Sequence, residues 1–234
     1  MQRIRITVVM ATYNGARYLT EQINSLLAAL GPDDEIVISD DGSTDETRMV
    51  VAAYTDPRIH LLPPGPRLGY QGNFQRAIRA SRGQFIFFSD QDDVCLPQRI
   101  ESSLAVLEDA DCVCGDAVLV DQDLVLLQPS FFAARQARFS ALRLFIRPTV
   151  IGATMACRRD FVMKSMPFPP KVPHDMWLSI RSALRGRLAV SRQPFILYRR
   201  HAATASITGN SAQRRSLPEI LAERLRLGWA LLRR

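Results

Sequence analysis

An α/β fold built on a mostly parallel sheet flanked by helices is what this 234-residue chain predicts, and three observations carry the expectation. Short apolar runs rich in β-branched and aromatic residues alternate with segments of helical spacing over the first ninety residues. Glycine and proline punctuate the joins. Clusters of carboxylates and small polar residues follow the apolar runs, at the strand ends where such sheets bind ligands.

Residues 4–10 form the first expected strand. Residues 16–30 carry helical spacing through Tyr18, Leu19, Ile23, Leu26, Leu27 and Leu30 and stop at Gly31-Pro32. A short strand covers 35–39. Ser43 and Glu46 have capping-box spacing and open a helix that runs to residue 54. A strand at 59–62, a helix at 72–81 and a strand at 84–89 complete the alternation. After Pro97 the pattern is less regular. A helix is expected at 99–107 and strands at 112–120 and 124–127. Residues 128–148, rich in Phe and Arg, are expected as a helix or lid over the site. A strand follows at 149–157, a helix at 175–184 and core strands at 188–190 and 195–198. A last helix begins at Arg214.

Hydrophobic residues make up 47% of the chain and charged residues 23%, the balance of a chain with a sizeable core. No apolar run is long enough to span a membrane, and residues 1–5 enter a strand without a signal-peptide pattern, so a cytoplasmic location is expected. Cys95, Cys112, Cys114 and Cys157 form no CxxC pair and no Cys/His cluster. That argues against structural zinc and leaves free thiols as the expectation. The net charge is +7, with six arginines against Glu219 and Glu223 over residues 214–234. Aromatic residues do not interleave with these cations, so a nucleotide or an anionic membrane surface is expected rather than nucleic acid. Leu217, Ile220, Leu221, Leu225 and Leu232 recur near helical spacing in the same segment. That segment either lies on an anionic membrane at its inner face or packs on protein, its own domain or a homodimer partner.

The most informative stretch is the apolar run 85–88 ending in Ser89-Asp90-Gln91-Asp92-Asp93. Three carboxylates within four residues repel one another, and a hard divalent cation such as Mg²⁺ or Mn²⁺ relieves that repulsion. The first strand ends in Ala11-Thr12-Tyr13-Asn14-Gly15, where small residues admit a ligand and Tyr13 offers a stacking face. The second ends in Asp40-Asp41-Gly42-Ser43-Thr44-Asp45. Capping explains Ser43 and leaves Asp40 and Asp41 as candidate base or ribose ligands. Gly69 to Phe74 leads into a helix whose N-terminus and Asn73 are candidates to meet a nucleotide. His174-Asp175 stands at a helix start, where Asp175 reads either as a helix cap or as a general base. Arg199-Arg200-His201 follows a strand, where His201 is a candidate for a metal or a diphosphate and Arg200 for a phosphate.

In this order the motifs resemble those of family 2 glycosyltransferases of the GT-A fold. The matching residues are 8–15, 40–45 and Asp90-Gln91-Asp92-Asp93, extended by Gly152-Ala153-Thr154-Met155, His174-Asp175 and Tyr198-Arg199-Arg200-His201. The motif form looks most like bacterial rhamnosyltransferases of surface-polysaccharide synthesis. Two positions depart from that pattern: Val94-Cys95 follows Asp93 where such relatives more often have Trp, and Ala203-Thr204 stands where they have Asn.

The resemblance implies a Rossmann-like GT-A domain over 1–210, with a nucleotide-binding half (1–95) and an acceptor-binding half (96–210), followed by a basic C-terminal helix at 211–234. It implies that Thr12, Tyr13, Asn14, Asp40, Asp41, Asn73 and Asp90 bind the donor nucleotide. Asp92 and His201, with Asp93 as a further candidate, would hold the metal. Gly152, Ala153, Thr154 and His174 would border the acceptor, and Asp175 would be the catalytic base. The expected reaction is inverting transfer from a nucleoside-diphosphate sugar, dTDP-rhamnose among the candidates, to a saccharide or lipid-linked saccharide. Two other readings compete. A sugar-nucleotide nucleotidyltransferase would show a basic phosphate loop after the first strand, which residues 11–15 lack. A non-catalytic sugar-nucleotide-binding protein would tolerate loss of Asp175 and the Asp90–Asp93 cluster, and both are intact.

Overall fold

The expected alternation folds into a continuous sheet. The computed structural model describes residues 4–201 and 216–233. Its first half runs β1 (Ile6–Thr12), α1 (Ala16–Ala29), β2 (Glu35–Asp40), α2 (Thr47–Ala52), β3 (Ile59–Leu61), α3 (Gly69–Ala80) and β4 (Phe85–Ser89). Strands β3, β2, β1 and β4 are adjacent and parallel, with Val8 level with Ile36 on one side and Phe87 on the other. Both faces of β1, β2 and β4 are covered, which is why they read as largely apolar runs. Leu19, Ile23 and Leu26 of α1 and Phe74, Ala77 and Ile78 of α3 supply the cover. Thr12, Asp40 and Ser89 end their strands at the same edge of the sheet.

The second half adds β5 (Val94–Cys95), α4 (Gln98–Leu107), β6 (Cys112–Val120), β7 (Leu126–Gln128), α5 (Phe131–Arg135), α6 (Ala141–Ile146), a 3-10 turn at Gly152–Thr154, β8 (Met155–Arg158), α7 (Arg159–Ser165), α8 (His174–Leu184), β9 (Leu188–Arg199) and α9 (Leu217–Leu232). The sheet order is β3-β2-β1-β4-β8-β6-β9-β5, with β7 also on β6. Here the sheet is mixed. β8 runs antiparallel to both β4 and β6, while β6 and β9 are parallel.

Five local expectations are corrected. Residues 128–148 hold two short helices rather than one, and the strand expected at 149–157 is a 3-10 turn followed by the shorter β8. The two strands expected at 188–190 and 195–198 are one strand, β9, whose register shifts around Gly115, Asp116 and Pro194. Proline cannot donate to the ladder, so a bulge accommodates it. Ser43 does not cap α2, since Asp45 accepts the Thr47 N–H at 3.0 Å instead. Finally, Cys112 and Cys157 are not free thiols. They lie directly opposite in the antiparallel pair β6·β8, with Cα atoms 4.1 Å apart, and form a disulfide. A separation of 45 residues hides that register from a sequence pattern. Cys95 and Cys114 are free and buried.

Helix α9 packs on the domain through Glu223, Leu227 and Ala230, which are buried, and Arg224 Nη1 lies 3.0 Å from Sδ of Met176 on α8. Its other face leaves Leu217, Leu221, Leu225, Trp229 and Leu232 exposed. Ser216 and Glu219 form a capping box at its start, and the start expected at Arg214 lies outside the described residues. Among the described residues no helix is long and apolar enough to cross a membrane.

Candidate active site

The ends of β1 and β2 are tied to each other before any ligand arrives. The Thr12 hydroxyl donates to Asp40 Oδ2 at 2.9 Å, and the Ser43 N–H and hydroxyl donate to the same carboxylate at 3.0 and 2.5 Å. Asp41 accepts the N–H groups of Leu68 (2.5 Å) and Gly69 (3.0 Å), so it anchors the entry to α3. Asn73 is buried and donates to the carbonyls of Ser39 (2.7 Å) and Thr12 (3.3 Å). Its amide group is therefore committed to holding strand ends. Asn14 sits at φ +48, a left-handed conformation that Asn tolerates, and its Oδ1 accepts the Thr44 N–H at 2.8 Å. Tyr13 is 38% exposed, with the Arg67 guanidinium 4.2 Å above its ring. A flat face edged by a cation is what a nucleobase can stack on.

The carboxylates after β4 separate by environment. Asp90 and Asp92 are half-buried, and Asp93 is fully buried. Burial, then the charges of Asp92 and Asp175, push the Asp90 carboxyl upward, against the pull of Arg99. Burial and the charges of Asp92 and Asp90 likewise hold Asp93 well above the usual carboxylate range. Asp93 turns inward: its Oδ1 accepts the Arg199 N–H at 3.0 Å and its Oδ2 is buried without a hydrogen bond. Asp93 Oδ1 is thus held by the end of β9, which leaves only Oδ2 for any ligand. Asp92 faces the other way, and its Oδ2 lies 2.8 Å from Nε2 of His201.

Asp92 and His201 offer one carboxylate and one imidazole side by side. That pair fits a divalent ion held by few protein ligands and completed by substrate phosphates. Among the described residues no group of three or more His, Cys, Asp and Glu forms a metal cage.

On the acceptor side, Ala153 and Thr154 are buried in the 3-10 turn, and the Thr154 hydroxyl donates to the Ile151 carbonyl at 2.9 Å. Only Gly152 keeps partial exposure. A Cβ on Gly152 would stand 2.9 Å from His174 Nε2, so glycine is what lets the turn approach α8. His174 turns into the core. Its ring is buried against Phe74, Phe88 and Phe168, burial pushes its pKa down to about 4, and neither nitrogen is hydrogen-bonded. Asp175, in the first turn of α8, is half-buried. Burial, with the charge of Glu223 adding to it, pushes its carboxyl up to about 6, against N–H bonds from Met176 and Gly152. A carboxylate poised there is matched to proton abstraction near neutral pH. It caps no helix end in the usual sense, since Pro173 occupies that place.

Four residues of the site escaped the sequence reading. Arg99 on α4 is fully buried, donates to the carbonyls of Phe88 (2.6 Å) and Met155 (3.4 Å), and pulls Asp90 and Asp93 toward ionisation. Arg199 donates to the Asp92 carbonyl at 2.7 Å and pairs with Glu21 of α1. Gln91 accepts the Tyr13 N–H at 2.9 Å and donates to its carbonyl at 3.1 Å, joining β1 to β4. Glu223 reaches the site from α9. Arg199 and Gln91 were inside recognised motifs, so a signal existed for them. Arg99 and Glu223 read as ordinary helix residues.

The mixed sheet in this order, with helices on its faces, is that of a GT-A fold. The profile described as Glycosyl transferase family 2 matches residues 7–165, and the chain belongs to that family. It is 26% identical over 179 residues to the Escherichia coli protein named UDP-Glc:alpha-D-GlcNAc-diphosphoundecaprenol beta-1,3-glucosyltransferase WfgD, covering 75% of this chain and 69% of that one. Its fold is similar to S. aureus TarS 1-349 in complex with UDP-GlcNAc, with a TM-score of 0.74 at 20% identity, covering 98% of this chain and 67% of that chain. It is also similar to glucosyl-3-phosphoglycerate synthase from Mycobacterium tuberculosis in complex with Mn²⁺, UDP and glucosyl-3-phosphoglycerate. There the TM-score is 0.60 at 20% identity, covering 98% and 79% of the two chains.

Proposed function

We propose that this chain is an inverting, metal-dependent glycosyltransferase of polysaccharide or glycoconjugate synthesis. It moves a sugar from a nucleoside diphosphate to a hydroxyl of a saccharide or lipid-linked saccharide. The observation that supports this most is convergence. Asp90 and Asp92 after β4, His201 after β9 and Asp175 on α8 meet at one edge of the sheet, with the charges of Asp92 and Asp175 both acting on Asp90.

In this reading the donor base stacks at Tyr13, with Thr12, Asn14, Asp40, Asp41 and Asn73 shaping its pocket and Asp90 meeting the ribose. Because Asp40, Asp41 and Asn73 are already hydrogen-bonded within the fold, they act chiefly by holding the pocket's shape. Asp92 and His201 would hold Mg²⁺ or Mn²⁺, which when bound stabilises negative charge on the departing diphosphate. Asp175 takes the proton of the acceptor hydroxyl as that oxygen bonds to the anomeric carbon and the bond to the diphosphate breaks. Positioning the two substrates supplies much of the remaining rate. The exposed apolar face of α9, flanked by Arg226 and Arg233, is proposed to rest on an anionic membrane surface where a lipid-linked acceptor is found.

The test is a panel of sugar nucleotides, dTDP-rhamnose and UDP-glucose included, incubated with the protein and Mg²⁺ or Mn²⁺. Slow release of nucleoside diphosphate from one donor supports transfer and names the donor. Formation of pyrophosphate assigns a nucleotidyltransferase instead, and binding without turnover assigns a non-catalytic binder.

A further inference from the structure

Helix α1 reaches the Asp92–His201 pair through Tyr18 and Glu21, which stand one turn apart on the helix and share a face. The Tyr18 ring is half-buried, and its centroid lies 4.7 Å from that of His201 with the planes tilted by 39°. The guanidinium carbon of Arg199 lies 4.7 Å from the centroid of the same ring. Glu21 Oε2 pairs with Arg199 Nη2. The Arg199 side chain is 2% exposed and that of Glu21 48%, so a buried charge takes its counter-ion from the surface of α1. The other guanidinium nitrogens hold backbone. Nε donates to the Asp92 carbonyl at 2.7 Å, and Nη1 donates to the Gln122 carbonyl at 2.6 Å. One arginine therefore ties the loop that carries Asp92 and the strand end that precedes His201 to α1.

We propose that Tyr18 and Glu21 are positioning residues that set Asp92 and His201 for the divalent ion. The inference rests on the metal-dependent glycosyltransferase reading and adds two residues outside its ligand set. Tyr18 acts on geometry. Its ring limits the swing of the imidazole, so that Nε2 stays toward Asp92 Oδ2. Glu21 acts on charge. A buried guanidinium without a counter-ion would repel a cation held at Asp92. Glu21 offsets that field and leaves the guanidinium to grip the Asp92 carbonyl. Helix α1 begins at Ala16, directly after Tyr13 and Asn14, so the helix that steadies the metal pair is the one that leaves the base pocket.

The full chain is titrated calorimetrically with whichever of UDP, GDP or dTDP it binds, once in Mn²⁺ and once in EDTA. The readout is the gain in affinity that Mn²⁺ brings. Tyr18→Leu and Glu21→Gln should each cut that gain by about tenfold and leave the affinity in EDTA unchanged. Tyr18→Phe should keep the full gain, because the ring is what meets His201. In an Asp92→Ala background neither variant should lose more, since the ligand being positioned is gone. A full gain in Tyr18→Leu or Glu21→Gln, an equal loss in Mn²⁺ and EDTA, or a further loss in the Asp92→Ala background overturns the assignment. Should Glu21→Gln fail to fold, Tyr18→Leu and Tyr18→Phe decide. If the wild type binds no nucleoside diphosphate, or binds it equally with and without Mn²⁺, the metal-dependent transferase reading itself fails. If the wild type shows the gain and the variants share it, only the positioning role fails.

Discussion

Nε2 of His201 lies 2.8 Å from Oδ2 of Asp92 across 109 residues of sequence, so the chain segment leaving β9 closes on the loop leaving β4. The contact places an imidazole and a carboxylate where one ion and a diphosphate can share them. Asp92→Ala is expected to lower nucleoside diphosphate affinity in Mn²⁺ by tenfold or more, and His201→Ala by less. In EDTA both variants should match the wild type. Calorimetry that finds the same Mn²⁺-dependent affinity in Asp92→Ala would contradict the assignment.

Asp175→Asn should nearly abolish transfer while donor binding survives. The pH dependence has a definite sign. The ionised form is the base, so with the folded pKa raised to about 6 the rate should climb through an acid limb centred near pH 6. The same shift opposes stability at neutral pH. A carboxyl raised above its unfolded value favours the fold fully below about pH 4, and that contribution is lost as pH rises through about 6. Asp175→Asn should therefore match the wild type in thermal midpoint at pH 4 and exceed it at pH 8. A midpoint that falls at pH 8 would contradict this reading.

Arg99 is the buried counter-charge beneath Asp90 and Asp93. Arg99→Met removes the cation and leaves the half-buried Asp90 and the buried Asp93 without it. Removing one member of a buried charged group costs about 3–5 kcal/mol. Urea denaturation should show a loss of that order, and a loss below about 1 kcal/mol would mean that Arg99 is a packing residue only.

Gln91 and Gly15 act as one device. A Cβ on Gly15 would lie 2.2 Å from Gln91 Oε1, so Gly15→Ala should expel the Gln91 side chain from its bonds to Tyr13. Gly15→Ala and Gln91→Ala should each raise the donor KM several-fold, and the double variant should be no worse than either. Additive effects in steady-state kinetics would separate the two.

The outer face of α9 carries Leu221 and Leu225, 60% and 66% exposed. L221E/L225E should reduce sedimentation with phosphatidylglycerol vesicles without changing the thermal midpoint, because the packed face of Glu223, Leu227 and Ala230 is untouched. Unchanged sedimentation would argue against the membrane contact.

The parallel half of the sheet was legible in the residues alone. Strands buried on both faces must be apolar throughout, so β1, β2 and β4 were legible, and the polar residues after them marked the edge where a ligand binds. The sequence also brought Asp92, His201 and Asp175 forward, because each stood in a short motif. The tertiary structure decided what depends on register and burial. It turned Asp93 inward to the Arg199 N–H, buried His174 among phenylalanines, and joined Cys112 to Cys157 across β6 and β8. It alone brought Arg99 and Glu223 to the carboxylates, since a helical residue's charge becomes part of a site only when packing excludes the water that would screen it.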